Sequence, residues 1–302
     1  MMVFLDPAAP TDFTRDLNET IATGATWIRV GIPSWDAGGI FGGTFYPNTA
    51  NMDFFVDVVQ RCRSAGLKVV LVMADAHNDD SWTEAQFRNY NSQYWGYVAQ
   101  RCGPYVDLVQ VFNEHDGNDY RNHSALNAGM SFPAGYLDRM RLALLAAHTA
   151  WHQYSTAPLT TTPFGYPVEQ ARYDKWVAFF DGVGSSLDAI CVHAYPEKNT
   201  AVINLVPTYL NNLHSRYGKP VGVLEFGLPS VSGYGTYAEV GQAIVNQIHA
   251  IMTAEPLCAI LYQLRDRGTD SSDGEQVFGI ITNNWSRKSY YNAVVTEISS
   301  WR

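Results

Sequence analysis

The sequence predicts an α/β protein, a (β/α)8 barrel built as a single domain over residues 1–302. Three observations predict it. Short apolar runs alternate with longer segments whose apolar residues recur about every 3.6 positions. The alternation repeats eight times, and strands covered by helices on both faces must either close into a barrel or form an open sheet with helices on both sides. No GxGxxG loop follows the first strand, and no linker or composition break divides the chain. A closed barrel therefore fits better than a dinucleotide-binding sheet.

The elements follow in order. Residues 3–6 form a short first strand. Phe13, Leu17 and Ile21 mark one helix face, ended by Gly24. Residues 26–31 are the second strand. Phe54, Phe55, Val58, Val59 and Cys62 make the next helix stripe, stopped by Gly66, and residues 68–74 are the third strand. Phe87, Tyr90, Tyr94 and Val98 build a helix before a fourth strand at 107–112, and a long helix runs over 133–154. The fifth strand, 158–162, is rich in Thr but confined by flanking Pro. A helix at 168–180 precedes the sixth strand, 188–193. A helix at 201–217 reaches the break Gly218-Lys219-Pro220. Residues 221–225, 237–253, 257–264 and 286–299 complete the seventh and eighth pairs.

Composition limits the function classes. Charged residues are 16% of the chain, against about 25% in an average domain. Acids exceed Lys and Arg by 29 to 20, for a net charge of -9. That balance argues against a nucleic-acid partner, whose backbone attracts clustered positive charge. No apolar run approaches the length of a membrane span, so no membrane association is expected. The first residues lack a basic region followed by a long apolar run. The chain thus reads as cytosolic or as a mature secreted form, and few Lys with abundant Asn, Thr and Tyr favour the latter. The aromatics, 8 Trp, 18 Tyr and 14 Phe, suit a large core with some left to line a groove. Cys62, Cys102, Cys191 and Cys258 lack metal or redox spacing and read as buried thiols; only Cys62 and Cys102 lie where a bridge could form. Nothing points to a particular oligomeric state.

In such a barrel, chemistry gathers at the C-terminal ends of the strands. Strand two carries Arg29, and strand three ends in Asp75-Ala76-His77. Strand four ends in Asn113-Glu114, strand six in His193-Ala194-Tyr195, and strand seven in Leu224-Glu225-Phe226. Strand eight runs into Tyr262-Gln263-Leu264-Arg265-Asp266. A carboxylate directly after apolar barrel positions is costly unless paired or hydrated. Glu114 and Glu225 both stand there. Each could simply pair with an Arg at the mouth. Two carboxylates across a pocket are also what glycosidic cleavage requires, one as acid and one as nucleophile or base.

These residues resemble a family. Asn113-Glu114, Leu224-Glu225-Phe226-Gly227, Arg29 within Trp27-Ile28-Arg29-Val30, and His193-Ala194-Tyr195 are similar to motifs of the retaining glycoside hydrolases of clan A. That superclan has xylosidase-like, cellulase-like and mannanase-like members. Phe278-Gly279-Ile280 and Lys288-Ser289-Tyr290-Tyr291 resemble its C-terminal segments. The pattern departs at two points: His115 replaces the usual Pro after Asn-Glu, and Leu261 or Tyr262 stands where a strand-eight Trp floors the sugar site.

The resemblance implies that Glu225 attacks the anomeric carbon while Glu114 protonates the leaving oxygen and later deprotonates water. Retained configuration and a carboxyl separation of about 5–5.5 Å would follow. Arg29 and Tyr195 would hold Glu225 ionised, Asn113 would bond the sugar 2-hydroxyl, and His193 would bind hydroxyls or orient Glu114. Tyr262 and Asp266 join the supporting set. The partner is a carbohydrate substrate, and no cofactor or metal is implied. Trp35, His77, Trp82 and Tyr166 follow strand ends and could form sugar platforms. The Gly38-Gly39-Ile40-Phe41-Gly42-Gly43 segment could let a mobile loop cover the site. Two other readings remain. Asp75, His77, His115, Asp116 and Asp119 could bind a divalent ion in a barrel metallohydrolase. The aromatic platforms could also serve a noncatalytic carbohydrate-binding barrel.

Overall fold

The structure is a computed structural model that describes residues 1–3, 10–32, 38–41, 44–73, 83–114, 136–163, 170–270 and 272–301. Along them strand and helix alternate as the apolar periodicity predicts. The order is β1 (Met2–Val3), α1 (Pro10–Ala22), β2 (Trp27–Ile32), β3 (Gly38–Phe41), β4 (Thr44–Pro47), α2 (Thr49–Ser64) and β5 (Lys68–Met73). Then come α3 (Glu84–Cys102), β6 (Leu108–Asn113), α4 (Tyr136–Trp151), β7 (Leu159–Thr162), α5 (Gln170–Val183) and β8 (Ile190–His193). The chain ends with α6 (Thr200–Ile203), α7 (Val206–Tyr217), β9 (Val221–Phe226), α8 (Tyr237–Met252), β10 (Ala259–Leu261) and α9 (Tyr291–Ser300).

The chain forms two compact units. One comprises Met1–Arg29, Gly165–Tyr173 and Cys191–Arg302; the other comprises Val30–Phe164 and Asp174–Ile190.

In the second unit the strand order is β2, β5, β6, β7. β5 and β6 are parallel from Val70 against Leu108 to Met73 against Val111. β6 and β7 are parallel from Val109 against Leu159 to Asn113 against Thr162. β5 and most of β6 read as apolar runs because both faces are buried: Val69, Val70, Leu71, Leu108, Val109 and Val111 have no exposed surface. Phe55, Val58, Val59 and Cys62 of α2 and Phe87, Tyr90, Tyr94 and Val98 of α3 bury their stripes, as their spacing predicts. Each fully buried Leu or Phe contributes about 1.5–3 kcal/mol. A capping box starts α3: Gln86 N–H donates to Thr83 Oγ1, and Thr83 N–H donates to Gln86 Oε1.

The glycine-rich segment after β2 is a correction. Its described residues form an antiparallel hairpin, with Gly38 opposite Pro47 and Phe41 opposite Thr44. Its anchor is Phe45, whose ring meets Tyr90, Tyr94 and Tyr97 of α3 at centroid distances of 6.3, 5.2 and 5.6 Å. The Phe45 N–H donates to Gln93 Oε1 at 3.1 Å. Gly38 is required because a Cβ there would collide with the Tyr46 carbonyl and the Phe45 ring. The glycine serves close strand approach rather than loop freedom.

In the first unit β9 lies between β8 and β10, and β9 and β10 are parallel. Leu264 N–H donates to Met2 O and Arg29 N–H to Met1 O, tying β1 to β2 and to the segment after β10. Arg265 pairs with Asp16 at 3.1 Å, and the Arg15 and Arg265 guanidiniums each lie 4.3 Å from the Trp285 ring centroid. Several details differ from expectation, among them the eighth strand, which spans Ala259–Leu261 rather than 257–264. Ile21 is 44% exposed, and the α1 face that packs is Phe13, Asp16, Leu17 and Thr20. The predicted helix over 201–217 divides into α6 and α7 at Asn204-Leu205. Pro207 lies in the first turn of α7, and its lacking N–H and fixed φ suit a start and break an interior. The closing helix starts at Tyr291 rather than 286, because Arg287 pairs in a bridge with Ile281.

Candidate active site

Glu225 is the fifth residue of a strand buried throughout its length. Its carboxylate is 8% exposed and has cationic and hydroxyl neighbours on both oxygens. Arg29, 1% exposed on β2, places Nη1 2.6 Å from Oε1. The Tyr195 hydroxyl donates to Oε2 at 2.6 Å. Nδ1 of His193, the last residue of β8, lies 3.4 Å from the same oxygen. Ala194 N–H donates to Glu225 O at 2.8 Å, fixing the backbone between His193 and Tyr195 against β9.

The electrostatics are a balance of opposing effects. Burial pushes the Glu225 carboxyl up. The charges of His193 and Arg29 and the hydrogen bonds from Tyr195 and Arg29 outweigh it and hold the group below the usual carboxylate range. An ionised, positioned carboxylate can act as a nucleophile or as a base.

Tyr262, the residue after β10, supports this arrangement. Its N–H donates to Phe226 O at 2.7 Å, and the Tyr262–Gln263 peptide is cis. The rings of Tyr195, Tyr262 and Phe278 meet edge to face at 6.4, 5.9 and 5.1 Å. This packing limits the directions in which the Tyr195 hydroxyl can point. Gly227 follows the Glu225-Phe226 pair because a Cβ there would strike the Tyr262 carbonyl.

Asp266 is a buried structural partner. It accepts from Gly279 N–H at 2.7 Å and from Lys288 Nζ at 2.9 Å. Lys288 also reaches Ser230 Oγ and Val277 O. Burial raises the Asp266 carboxyl and lowers the Lys288 ammonium, each only partly offset by the other. Sequence reading named Lys288 only within a family-like C-terminal segment and not as the partner of Asp266; a lysine inside a predicted helix carries no local sign of a buried partner 22 residues away.

In the other unit, Asn113 and Glu114 end β6 as the sequence predicts. The pairing with β7 shifts register between Gln110 and Asn113. Phe112 (φ 65°) and Glu114 (φ 53°) both lie in the left-handed region, which non-glycine residues enter only when held there. The holding group is Gln110, missed by sequence reading. Its Nε2 faces Phe112 O at 3.1 Å, Asn113 Oδ1 at 2.9 Å and Thr162 Oγ1 at 2.7 Å. Glu114 N–H donates to Thr162 O. A polar residue within an apolar strand run was the available signal. Bulges of this kind re-aim side chains at strand ends.

Trp35, His77 and Tyr166 lie outside the described residues, as do Trp82 and the metal-ligand candidates Asp75, His115, Asp116 and Asp119.

Comparison with known proteins agrees with the strand-end motifs. A family model described as the glycosyl hydrolase catalytic core matches residues 59–257, well over half of the chain. The chain belongs to this family of glycosyl hydrolase catalytic cores. The match contains Asn113, Glu114, His193, Tyr195 and Glu225. Among curated proteins, the chain is similar to a probable arabinogalactan endo-β-1,4-galactanase A of Aspergillus fumigatus. The two are 26% identical over 212 residues, covering 62% of this chain and 57% of that one. It is also 26% identical over 217 residues to the arabinogalactan endo-β-1,4-galactanase A of Emericella nidulans, covering 62% and 58%. The chain thus matches just over half the length of these relatives.

Two solved structures are similar over nearly the whole chain. The β-glycosidase of Thermosphaera aggregans has a TM-score of 0.75 at 14% identity, covering 98% of this chain and 86% of that one. The β-glucosidase of Pyrococcus furiosus has a TM-score of 0.75 at 13% identity, covering 98% and 85%. At such identity the likeness shows the fold, an α/β chain of the (β/α)8 barrel class.

Proposed function

We propose that this chain is a retaining O-glycoside hydrolase that cleaves a β-linked oligo- or polysaccharide, acting over residues 1–302 as one catalytic barrel. The observation that carries the reading is Glu225: a buried carboxylate kept ionised by Arg29, His193 and Tyr195. Glu225 is the nucleophile. One of its oxygens bonds the anomeric carbon as the bond from that carbon to the leaving oxygen breaks. Glu114 gives its proton to that oxygen. It then takes a proton from water, whose oxygen displaces Glu225 and regenerates both groups. Two inversions leave the configuration retained. Asn113 bonds the sugar 2-hydroxyl, and His193 bonds sugar hydroxyls. The galactanases similar to this chain make β-1,4-linked galactan the first polymer to test. A polymer of that size lies outside cells, which favours an extracellular enzyme. No helix among the described residues is long and apolar enough to cross a membrane.

The test is kinetic and stereochemical. NMR of the first product released from a β-linked substrate should show the β-anomer; an α-product would overturn the retaining mechanism. Glu225→Ala should lose at least about 10³-fold in kcat, and azide should restore turnover as an α-glycosyl azide. Glu114→Ala should lose about 10²–10⁴-fold on poor leaving groups and much less on activated aryl glycosides. Equal losses on both substrate types would remove Glu114 as the acid.

A further inference from the structure

His148 and His152 stand one turn apart on α4 and on the turn after it. Their Nε2 atoms converge on one carboxylate, at 3.1 Å from Asp188 Oδ1 and 2.9 Å from Oδ2. The two rings meet edge to face with centroids 4.3 Å apart. Asp188 Oδ2 also accepts the Leu159 N–H at 2.8 Å. Burial pushes the Asp188 carboxyl up, but the Leu159 N–H and the two imidazoles outweigh this and hold it below the usual range.

His152 has a second fixed neighbour, the Ser155 carbonyl oxygen, 3.0 Å from Nδ1. A carbonyl oxygen and an ionised carboxylate are both acceptors only, whereas a neutral imidazole has one N–H and one lone pair. If Nδ1–H serves Ser155, the Nε2 lone pair points at a carboxylate. That contact is repulsive unless the ring carries a second proton or a metal cation lies between them. His148 turns its own Nε2 to the same place, and these nitrogens and a carboxylate oxygen all lie within 4.8 Å of one another.

We propose that His148 Nε2, His152 Nε2 and the Asp188 carboxylate bind a divalent transition metal, zinc being the ion that this ligand set suits. Imidazole and carboxylate are ordinary zinc ligands. Ser155 O fixes the His152 tautomer from behind, as outer partners do at histidine metal sites. Each of the three side chains is about a third exposed, so water can complete the coordination. The site joins the end of α4 to Asp188, two residues before β8, which in turn accepts the N–H of Leu159 at the start of β7. Glu114 follows the opposite end of the β6–β7 pair, where Asn113 meets Thr162. The metal is therefore structural: it stabilises the fold and takes no part in turnover.

The experiment uses untagged full-length protein stripped with a chelator and titrated with zinc chloride. Calorimetry should find one ion per chain, and zinc at 100 times its Kd should raise Tm by about 5 °C. The imidazole nitrogen signals of two histidines should move on NMR. His148→Gln and His152→Gln should each weaken zinc binding at least tenfold and leave glycoside turnover unchanged. The proposal fails if wild-type protein binds no zinc, or if the double His148→Gln/His152→Gln variant binds it as tightly. It also fails if zinc leaves the imidazole signals in place while one imidazolium persists at pH 8. The wild-type titration decides the matter even if a variant does not fold.

Discussion

Tyr195 matters through one hydroxyl. Its bond to Glu225 Oε2 stabilises the ionised carboxylate, and the aromatic packing of Tyr262 and Phe278 keeps it there. Because Glu225 is held below the usual carboxylate range, its ionised form persists to low pH and is lost only as pH falls through that depressed value. Tyr195→Phe removes one stabilising bond and therefore moves the acidic limb of the kcat/KM profile to higher pH. A charged hydrogen bond contributes about 1.5–3 kcal/mol, so kcat/KM should fall about tenfold or more at the wild-type optimum. An acidic limb that stayed in place would remove Tyr195 from control of Glu225. Arg29, Glu225, His193 and Tyr195 were legible as polar residues within or just after apolar runs, which bury them at known cost. Their mutual distances were not legible, because the pairing of Arg29 with Glu225 spans 196 positions.

At the scale of elements, the segment after β10 is fastened to the approach to α9 by the buried Asp266–Lys288 pair. Lys288→Met leaves a buried carboxylate without its cation, which costs about 3–5 kcal/mol in similar cases. Urea unfolding at neutral pH should show a loss of that size. The sign with pH follows from the raised Asp266 carboxyl: its protonated form suits the buried site, so the variant's deficit should shrink as pH falls. A deficit that was constant or grew in acid would disprove the assignment. Helices α2, α3 and α8 and strands β5 to β7 and β9 were legible because their periodicity is local. The hairpin β3–β4 was not, because Gly38 serves close packing, and that need is set by Phe45 and Tyr46 across the ribbon. The division between α6 and α7 was signalled by Pro207 but masked by the apolar stripe running through it.

For the whole molecule, the cysteines provide a simple readout. Cys62, Cys102, Cys191 and Cys258 are all free and buried, and burial pushes the thiols of Cys62 and Cys102 up to about 12. Thiolate is the reactive form. In native buffer at pH 8 a thiol reagent should label none of the four within minutes, and in denaturant it should label all four at once. Rapid labelling of one thiol in native protein would show that part of the core opens far more readily than its burial implies. The even cysteine count left a bridge between Cys62 and Cys102 open at the level of sequence. In the fold Cys102 Sγ instead faces Met52 Sδ at 3.9 Å.

The hairpin after β2 has a wider consequence. Among its described side chains, Phe45 packs inward while its neighbour Tyr46 is 56% exposed. A ribbon anchored through Phe45 can change its outer face, or be exchanged for one from another sequence that keeps this anchor, without altering the strand before it or the helix after it. The protein thus carries a replaceable cassette, in which natural drift or laboratory recombination can accumulate variety while the core registers nothing.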